Sequence, residues 1–200
     1  MAVRLTLEKT ETNLFCSSKW WGDPDMPPAL DYPTVEVTED GETYPYPLTF
    51  LCQICCEDFA GFDPEGRWPH EGMFYVFAAV DAYAGYDSPI PTGEGEWPKA
   101  HAVVRYTKEI NFETFRSCML VDDEDEPLTE EALKVSFSAG DGTGTELFGA
   151  PSGDRIPFLT VTSGTGGLDF GEGRVLTLYY SESDVRFGNW KRIHCSLDHV

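Results

Sequence analysis

Thiols and imidazoles are the side chains of this chain whose spacing could carry metal or nucleophilic chemistry. Six cysteines stand at positions 16, 52, 55, 56, 118 and 195. Cys52 and Cys55 form a C-x-x-C, which is half of a zinc site. A zinc knuckle, however, needs the pair on a tight turn and a second pair at matching spacing. Here Gln53 and Ile54 lie between the thiols inside an apolar run, so the cysteines read as small buried hydrophobes. His70, His101, His194 and His199 form no H-x-x-H, H-E-x-x-H or H-x-H. Composition permits a Cys–His nucleophilic pair, joining His101 or His194 to a strand cysteine, but nothing in the spacing singles one out. No G-x-S-x-G elbow is present. Gly140-Asp141-Gly142-Thr143-Gly144 lacks the preceding strand and following helix of a phosphate loop and reads as a turn. Seven acids crowd residues 122–131 without the alternating ligands and central glycine of a calcium loop, as expected of a solvated segment. The expectation is no metal, no cofactor and no assignable catalytic residue.

Candidate binding residues are aromatic and polar. Gln53 interrupts an apolar strand and must find partners if buried. Trp20, Trp21, Trp68 and Trp97 sit beside Gly or Pro in irregular segments. There they either line a groove or cover the ends of a sheet.

These residues hang on strands. Pro47–Ile54 and Gly72–Val80 are apolar, aromatic and β-branched runs joined by a polar connector, the pattern of two adjacent buried strands. In the first, alternation places Leu48, Phe50, Cys52 and Ile54 on one face, and Thr49, Leu51, Gln53 and Cys55 on the other. Ala2–Leu7, His101–Tyr106 and Lys134–Ser138 read as further strands. Thr34–Thr38 alternates into Glu39-Asp40-Gly41-Glu42, and Asp-Gly is the type I′ hairpin pair. Pro45 and Pro47 restrict the return strand to an edge. Cys56–Phe59 fits one helical turn. Thr129 fits an N-cap with Glu130 and Glu131 in a first turn. The Asp81–Pro98 loop is long and rich in Gly and Pro.

An internal echo is visible. Trp21-Gly22-Asp23-Pro24 returns as Phe148-Gly149-Ala150-Pro151. The strand led by Pro47 returns as one led by Pro157, and Glu71-Gly72-Met73 returns as Glu172-Gly173-Arg174. The order is the same in both copies. The expected architecture is α+β, predominantly antiparallel β with a few short helices. It is one domain, 1–200, built of two similar halves, about 14–106 and 133–200, that share one core. Phe50, Phe74, Val76, Phe158, Val161, Val175 and Leu178 are its expected interior.

Ser18-Lys19-Trp20-Trp21-Gly22-Asp23-Pro24, the strand to Ile54, Glu71–Phe77, Val103-Val104-Arg105-Tyr106 and Glu172–Leu176 occur in the order in which they occur in a known family. Over most of its length the chain resembles the YwqG-like domain of unknown function found in many bacterial proteins. That resemblance implies a mostly antiparallel β protein with short helices and no established activity. The chain departs from the family pattern in having Trp21-Gly22 where two glycines are usual. It also has Thr145–Phe148 and Ser152–Asp154 where the second copy usually offers a His and a Gln.

Asp and Glu number 35 against 14 Lys and Arg in 200 residues, a formal net charge of −21. Such a surface repels phosphate backbones and anionic membranes and suits a basic protein partner. The N-terminal residues lack an apolar signal core, and no run reaches the roughly 20 residues of a membrane span. A cytoplasmic protein with reduced thiols is expected. Two functional classes fit. The favoured one is a non-enzymatic binding protein, of the immunity type that neutralises a basic target. The alternative is a hydrolase or transferase whose site is assembled from distant loops.

Overall fold

A computed structural model describes residues 2–109, 111–121 and 127–199. Among these the chain is strongly β-rich. Its strands are β1 Val3–Glu8, β2 Lys19–Trp20, β3 Asp25–Met26, β4 Thr34–Glu39, β5 Glu42–Pro47, β6 Thr49–Cys55, β7 Met73–Ala78 and β8 Gly95–Glu96. They continue as β9 Ala102–Thr107, β10 Arg116–Ser117, β11 Leu133–Ala139, β12 Glu146–Leu147, β13 Arg155–Thr162, β14 Arg174–Ser181 and β15 His194–His199. The helices are short: α1 Cys56–Phe59, α2 Asp81–Ala84 and α3 Glu182–Phe187.

Eleven strands form one curled, half-barrel sheet in the order β8-β15-β14-β13-β12-β1-β11-β2-β6-β7-β9. Its two outermost strands, β8 and β9, are separated in sequence only by Trp97–His101. This short tie closes the curl, with Trp97 N donating to Cys195 O (2.8 Å) and Ala79 N to His101 O (2.9 Å). The concave side holds the main core, to which Trp20, Ile54, Phe74, Val76, Phe158, Leu159, Leu176 and Leu178 contribute. All six residues of β7 are buried, because its other face is covered as well. Met73, Tyr75 and Phe77 pack with Met26, Val37, Leu48, Phe50 and Phe115 in a second cluster. The β3–β10 pair and the β4–β5 hairpin supply that cover. The hairpin turns at Asp40 and Gly41, both with positive φ (49° and 85°), which is the type I′ geometry that Asp-Gly favours.

Alternation fails at one place in β6. The register with β7 shifts between Phe50 and Cys52, so Leu51 is a bulge that reverses the parity of the strand. Leu48 and Phe50 therefore face the outer cluster, while Leu51, Cys52 and Ile54 face the main core. The single-face assignment of Leu48 through Ile54 is corrected accordingly. Val175 also lies off the core, half-buried, because Leu176 and Leu178 take the inward positions of β14. Thr129–Glu131 is not helical. Glu130 O accepts from Gly22 N (3.0 Å) and the Thr129 hydroxyl donates to Asp23 Oδ1 (3.2 Å), which pins the segment against the Gly22 corner. Asp122–Glu126, most of the acidic run, lie outside the described residues.

Two places in the sheet have the same construction. Trp21 follows β2 and Phe148 follows β12, each with φ of 59°. Trp21 N donates to Leu51 O (2.9 Å) and Phe148 N to Phe158 O (3.0 Å). The register of β13 with β14 shifts between Pro157 and Leu159, so each acceptor sits at a bulge. Counted from the bulges, Leu51 corresponds to Phe158, not to the Val161 that the proline-led echo suggests. The bulge, not the proline, sets the register.

Candidate functional site

Two buried aspartates next to the Trp21 corner have opposite surroundings. Asp25, on β3, is fully buried. Its Oδ2 lies 2.7 Å from Lys19 Nζ and accepts from Cys16 N (2.8 Å) and Gln53 Nε2 (2.9 Å). Its Oδ1 accepts from the Ser117 hydroxyl (2.5 Å). Gln53 completes the network: its Oε1 accepts from Asp25 N (2.9 Å) and its Nε2 donates to Ser17 O (2.9 Å). Tyr75 donates to Asp25 O (2.6 Å). Charge and hydrogen bonds here are saturated from within, and the network ties β2, β3, β6, β7 and β10 together. Gln53 is thus part of a structural joint. Burial, with Asp25 adding to it, pushes the nearby Cys16 thiol up to about 12, so it stays protonated.

Asp81 opens α2 after buried Ala79 and Val80, which prolong the apolar run of β7. It is 9% exposed and accepts from the hydroxyls of Thr49 and Tyr46. Among the described residues five acids are buried: Asp25, Asp63, Asp81, Glu146 and Asp184. Four of them have a nitrogen of Lys, Arg or His within 4.0 Å, namely Lys19 (2.7 Å), His70 (3.3 Å), Arg4 (3.6 Å) and Arg192 (4.0 Å) respectively. Asp81 has none among the described residues, and it lines a cavity of about 460 Å³.

That cavity is built by four segments. Tyr46–Phe50 crosses from the hairpin into β6, α2 supplies Asp81 and Ala84, the β2 corner supplies Trp21 and Gly22, and Pro127–Glu131 forms one wall. Tyr32, Tyr86, Asp87 and Leu120 complete it. Trp21, Leu48, Phe50 and Asp81 are buried, whereas Tyr86, Asp87, Leu128, Glu130 and Glu131 are exposed at the mouth. The described lining contains no His, Cys, Lys or Arg. Burial, reinforced by the Asp81 charge, raises the Tyr46 phenol to about 12, so Tyr46 remains a hydrogen-bond donor across the neutral range. A cavity of this size, aromatic within and acidic both within and at its rim, can hold a cationic group.

Of the residues singled out by sequence, only Trp21 lines this cavity. Trp20 is fully buried in the core. Trp68 packs between the flanks of the sheet, stacked on Phe148 (4.5 Å) and Trp190 (5.4 Å). Trp97 stacks on Tyr83 (6.0 Å) and donates to Gly93 O (2.8 Å). Asp81 was missed, although its signal was present: an acid set immediately after an uninterrupted apolar run is carried inward by that run. The six cysteines are free; Cys52 lies in the main core while Cys55 packs on the outer cluster. Among the described residues no group of three His, Cys, Asp or Glu could hold a metal ion. In the glycine-rich turn, the Asp141 and Gly142 amides donate to buried Glu146 (3.0 and 3.1 Å), so the loop's anion site is already filled from within.

No curated protein matches this chain. Residues 18–152 match the family described as Domain of unknown function (DUF1963). The match begins at the β2 corner and ends just after the Phe148 corner, so it includes both positive-φ aromatics and the whole Asp81 cavity. The chain belongs to the DUF1963 domain family, whose function is unknown.

Proposed function

We propose that this protein is a non-enzymatic interaction protein that takes a cationic side chain of a basic protein partner into the Asp81 cavity. The observation that carries this reading is the missing counter-charge. A buried carboxylate is costly without a cation, and its neighbours here supply only hydroxyls. A guest cation would complete Asp81 as Lys19 completes Asp25. The net charge of −21 would steer a basic partner toward the mouth. Exposed Met119, Val121, Leu128 and Tyr86, on the segments around the cavity, would add apolar contact. An immunity-type role, neutralising a basic target, suits this chemistry. So does a cytoplasmic setting, in which six free thiols stay reduced. We also read the family as the YwqG-like one of bacteria, and the twin aromatic corners and bulges as the trace of an internal duplication.

The test compares Asp81→Asn with Glu131→Gln in binding a lysine-bearing peptide, followed by fluorescence anisotropy. Each variant removes one negative charge. Losing a buried charge partner costs about 2 kcal/mol or more, roughly thirtyfold in affinity, whereas a rim charge changes it less than about threefold. Equal effects of the two variants would reduce the binding to bulk charge and overturn the proposal.

A further inference from the structure

We propose, resting on the cation-binding role above, that the group held against Asp81 is an alkylated ammonium, the methylated lysine of a partner, in preference to a primary amine or a guanidinium. The lining is rich in aromatic rings whose own donors are already spent. Trp21 Nε1 donates to Gly166 O (2.7 Å), the Tyr32 hydroxyl to Leu48 O (2.9 Å), the Tyr46 hydroxyl to Asp81 Oδ2 (3.1 Å) and the Tyr86 hydroxyl to Glu130. The N–H and O–H donors of these four side chains are therefore spent within the protein, and a guest meets their ring surface and the remaining lone pairs of the phenol oxygens. Each oxygen of Asp81 already accepts one hydroxyl, from Thr49 and from Tyr46.

A primary ammonium brings three N–H donors and a guanidinium five. A primary ammonium is a compact, strongly hydrated charge, and a guanidinium's five donors outnumber the lone pairs left on Asp81, so either gives up more hydration than ring surface returns. A methylated ammonium keeps the positive charge that Asp81 lacks, carries few or no donors, and is attracted to aromatic rings. The inner end of the cavity, where Asp81, Trp21 and Phe50 are buried, matches that group. Glu130 and Glu131 at the mouth are exposed to water, so they draw in any cation without choosing among them.

The experiment titrates the full chain with tetramethylammonium, methylammonium and guanidinium chlorides at constant ionic strength, following amide NMR shifts around Asp81. Guanidinium is kept far below denaturing concentrations. Tetramethylammonium is expected to bind at least about threefold more tightly than either competitor, the scale of one favourable cation–ring contact. Asp81→Asn is expected to weaken it about tenfold or more. Tyr86→Leu, at the exposed rim, is expected to weaken it about threefold while leaving the dispersed spectrum of a folded chain. Methylammonium or guanidinium binding as tightly, and still lost in Asp81→Asn, would overturn this inference and leave the cation-binding role standing. No response to any cation, or an equal response in Asp81→Asn, would overturn both. A trimethyllysine peptide is expected to outbind choline. The reverse order would place the same chemistry on a free small molecule and overturn the protein-borne source.

Discussion

Lys19 is 5% exposed and its ammonium lies 2.7 Å from Asp25. Removing one member of such a pair leaves the other charge buried and uncompensated, which costs about 3–5 kcal/mol. Lys19→Met is accordingly expected to lower the unfolding free energy from a urea titration by that amount, and a change under about 1 kcal/mol would show that the Gln53 and Ser117 hydrogen bonds alone carry Asp25. His101 offers a second test. Its Nδ1 is buried without a partner, and burial lowers its pKa below the ordinary value. In the pH window between the folded and unfolded values, the unfolded chain binds the extra proton. Stability is therefore full above the unfolded pKa of about 6.5 and declines as pH falls toward the lower folded value. Melting temperatures of the wild type and His101→Gln at pH 7.5 and pH 5.5 should converge on the alkaline side and separate on the acid side in favour of the variant. Parallel curves would remove His101 from the pH response.

At the scale of the element, β7 and its entry turn carry the strictest geometry. Gly72 has φ of 87°, and a Cβ there would lie 2.0 Å from Thr107 O on the neighbouring β9 strand. Backbone cannot yield as a side-chain tip can, so Gly72→Ala combines left-handed strain with displacement of the β7–β9 ladder. A loss of more than about 2 kcal/mol is expected in a denaturant titration. Gly41, with φ of 85° but open space around it, serves as the control: alanine there meets strain without a clash and is expected to cost about 1 kcal/mol. Equal losses at the two positions would mean that the clash relaxes away. The corners at Trp21 and Phe148 are built differently, since a large aromatic takes the positive φ and the glycine follows it. Their amides find carbonyls exposed at the bulges of β6 and β13, which is what holds each aromatic in so unusual a backbone region.

At the scale of the whole molecule, one aromatic assembly joins the two flanks of the sheet. Phe74 of β7 lies 4.9 Å from Phe158 of β13, 4.8 Å from Tyr106 of β9 and 5.5 Å from Trp190 after α3. Trp68 stacks on Phe148 and Trp190 in the same assembly. Phe74→Ala is expected to cost about 3–5 kcal/mol, because the curl of the sheet prevents the site from collapsing around the void. A melting shift of only a degree or so would show that the flanks are joined elsewhere. The same curl leaves the outer face of β6 and β7 to be covered by the hairpin and the β3–β10 pair. The Asp81 cavity lies along the edge of that cover, between elements that no single run of sequence contains.

Local chemistry was legible in the sequence. The β-rich class, the Asp40-Gly41 hairpin, the helical turn at Cys56–Phe59 and the burial of β7 all follow from short-range alternation, turn preference and apolar content, which act within a few residues of each other. The two faces of β6 were not legible, because a single bulged residue at Leu51 reverses parity and is fixed only when the strand meets β7. Nor was the site. Whether a buried acid is saturated or uncompensated depends on which cation the fold brings beside it, and Asp25 and Asp81 look alike until Lys19 reaches one of them. Burial and charge pairing are properties of the assembled chain, so the sequence determined the kind of scaffold, and tertiary structure alone decided that Asp81 would face a cavity without a counter-charge among the described residues.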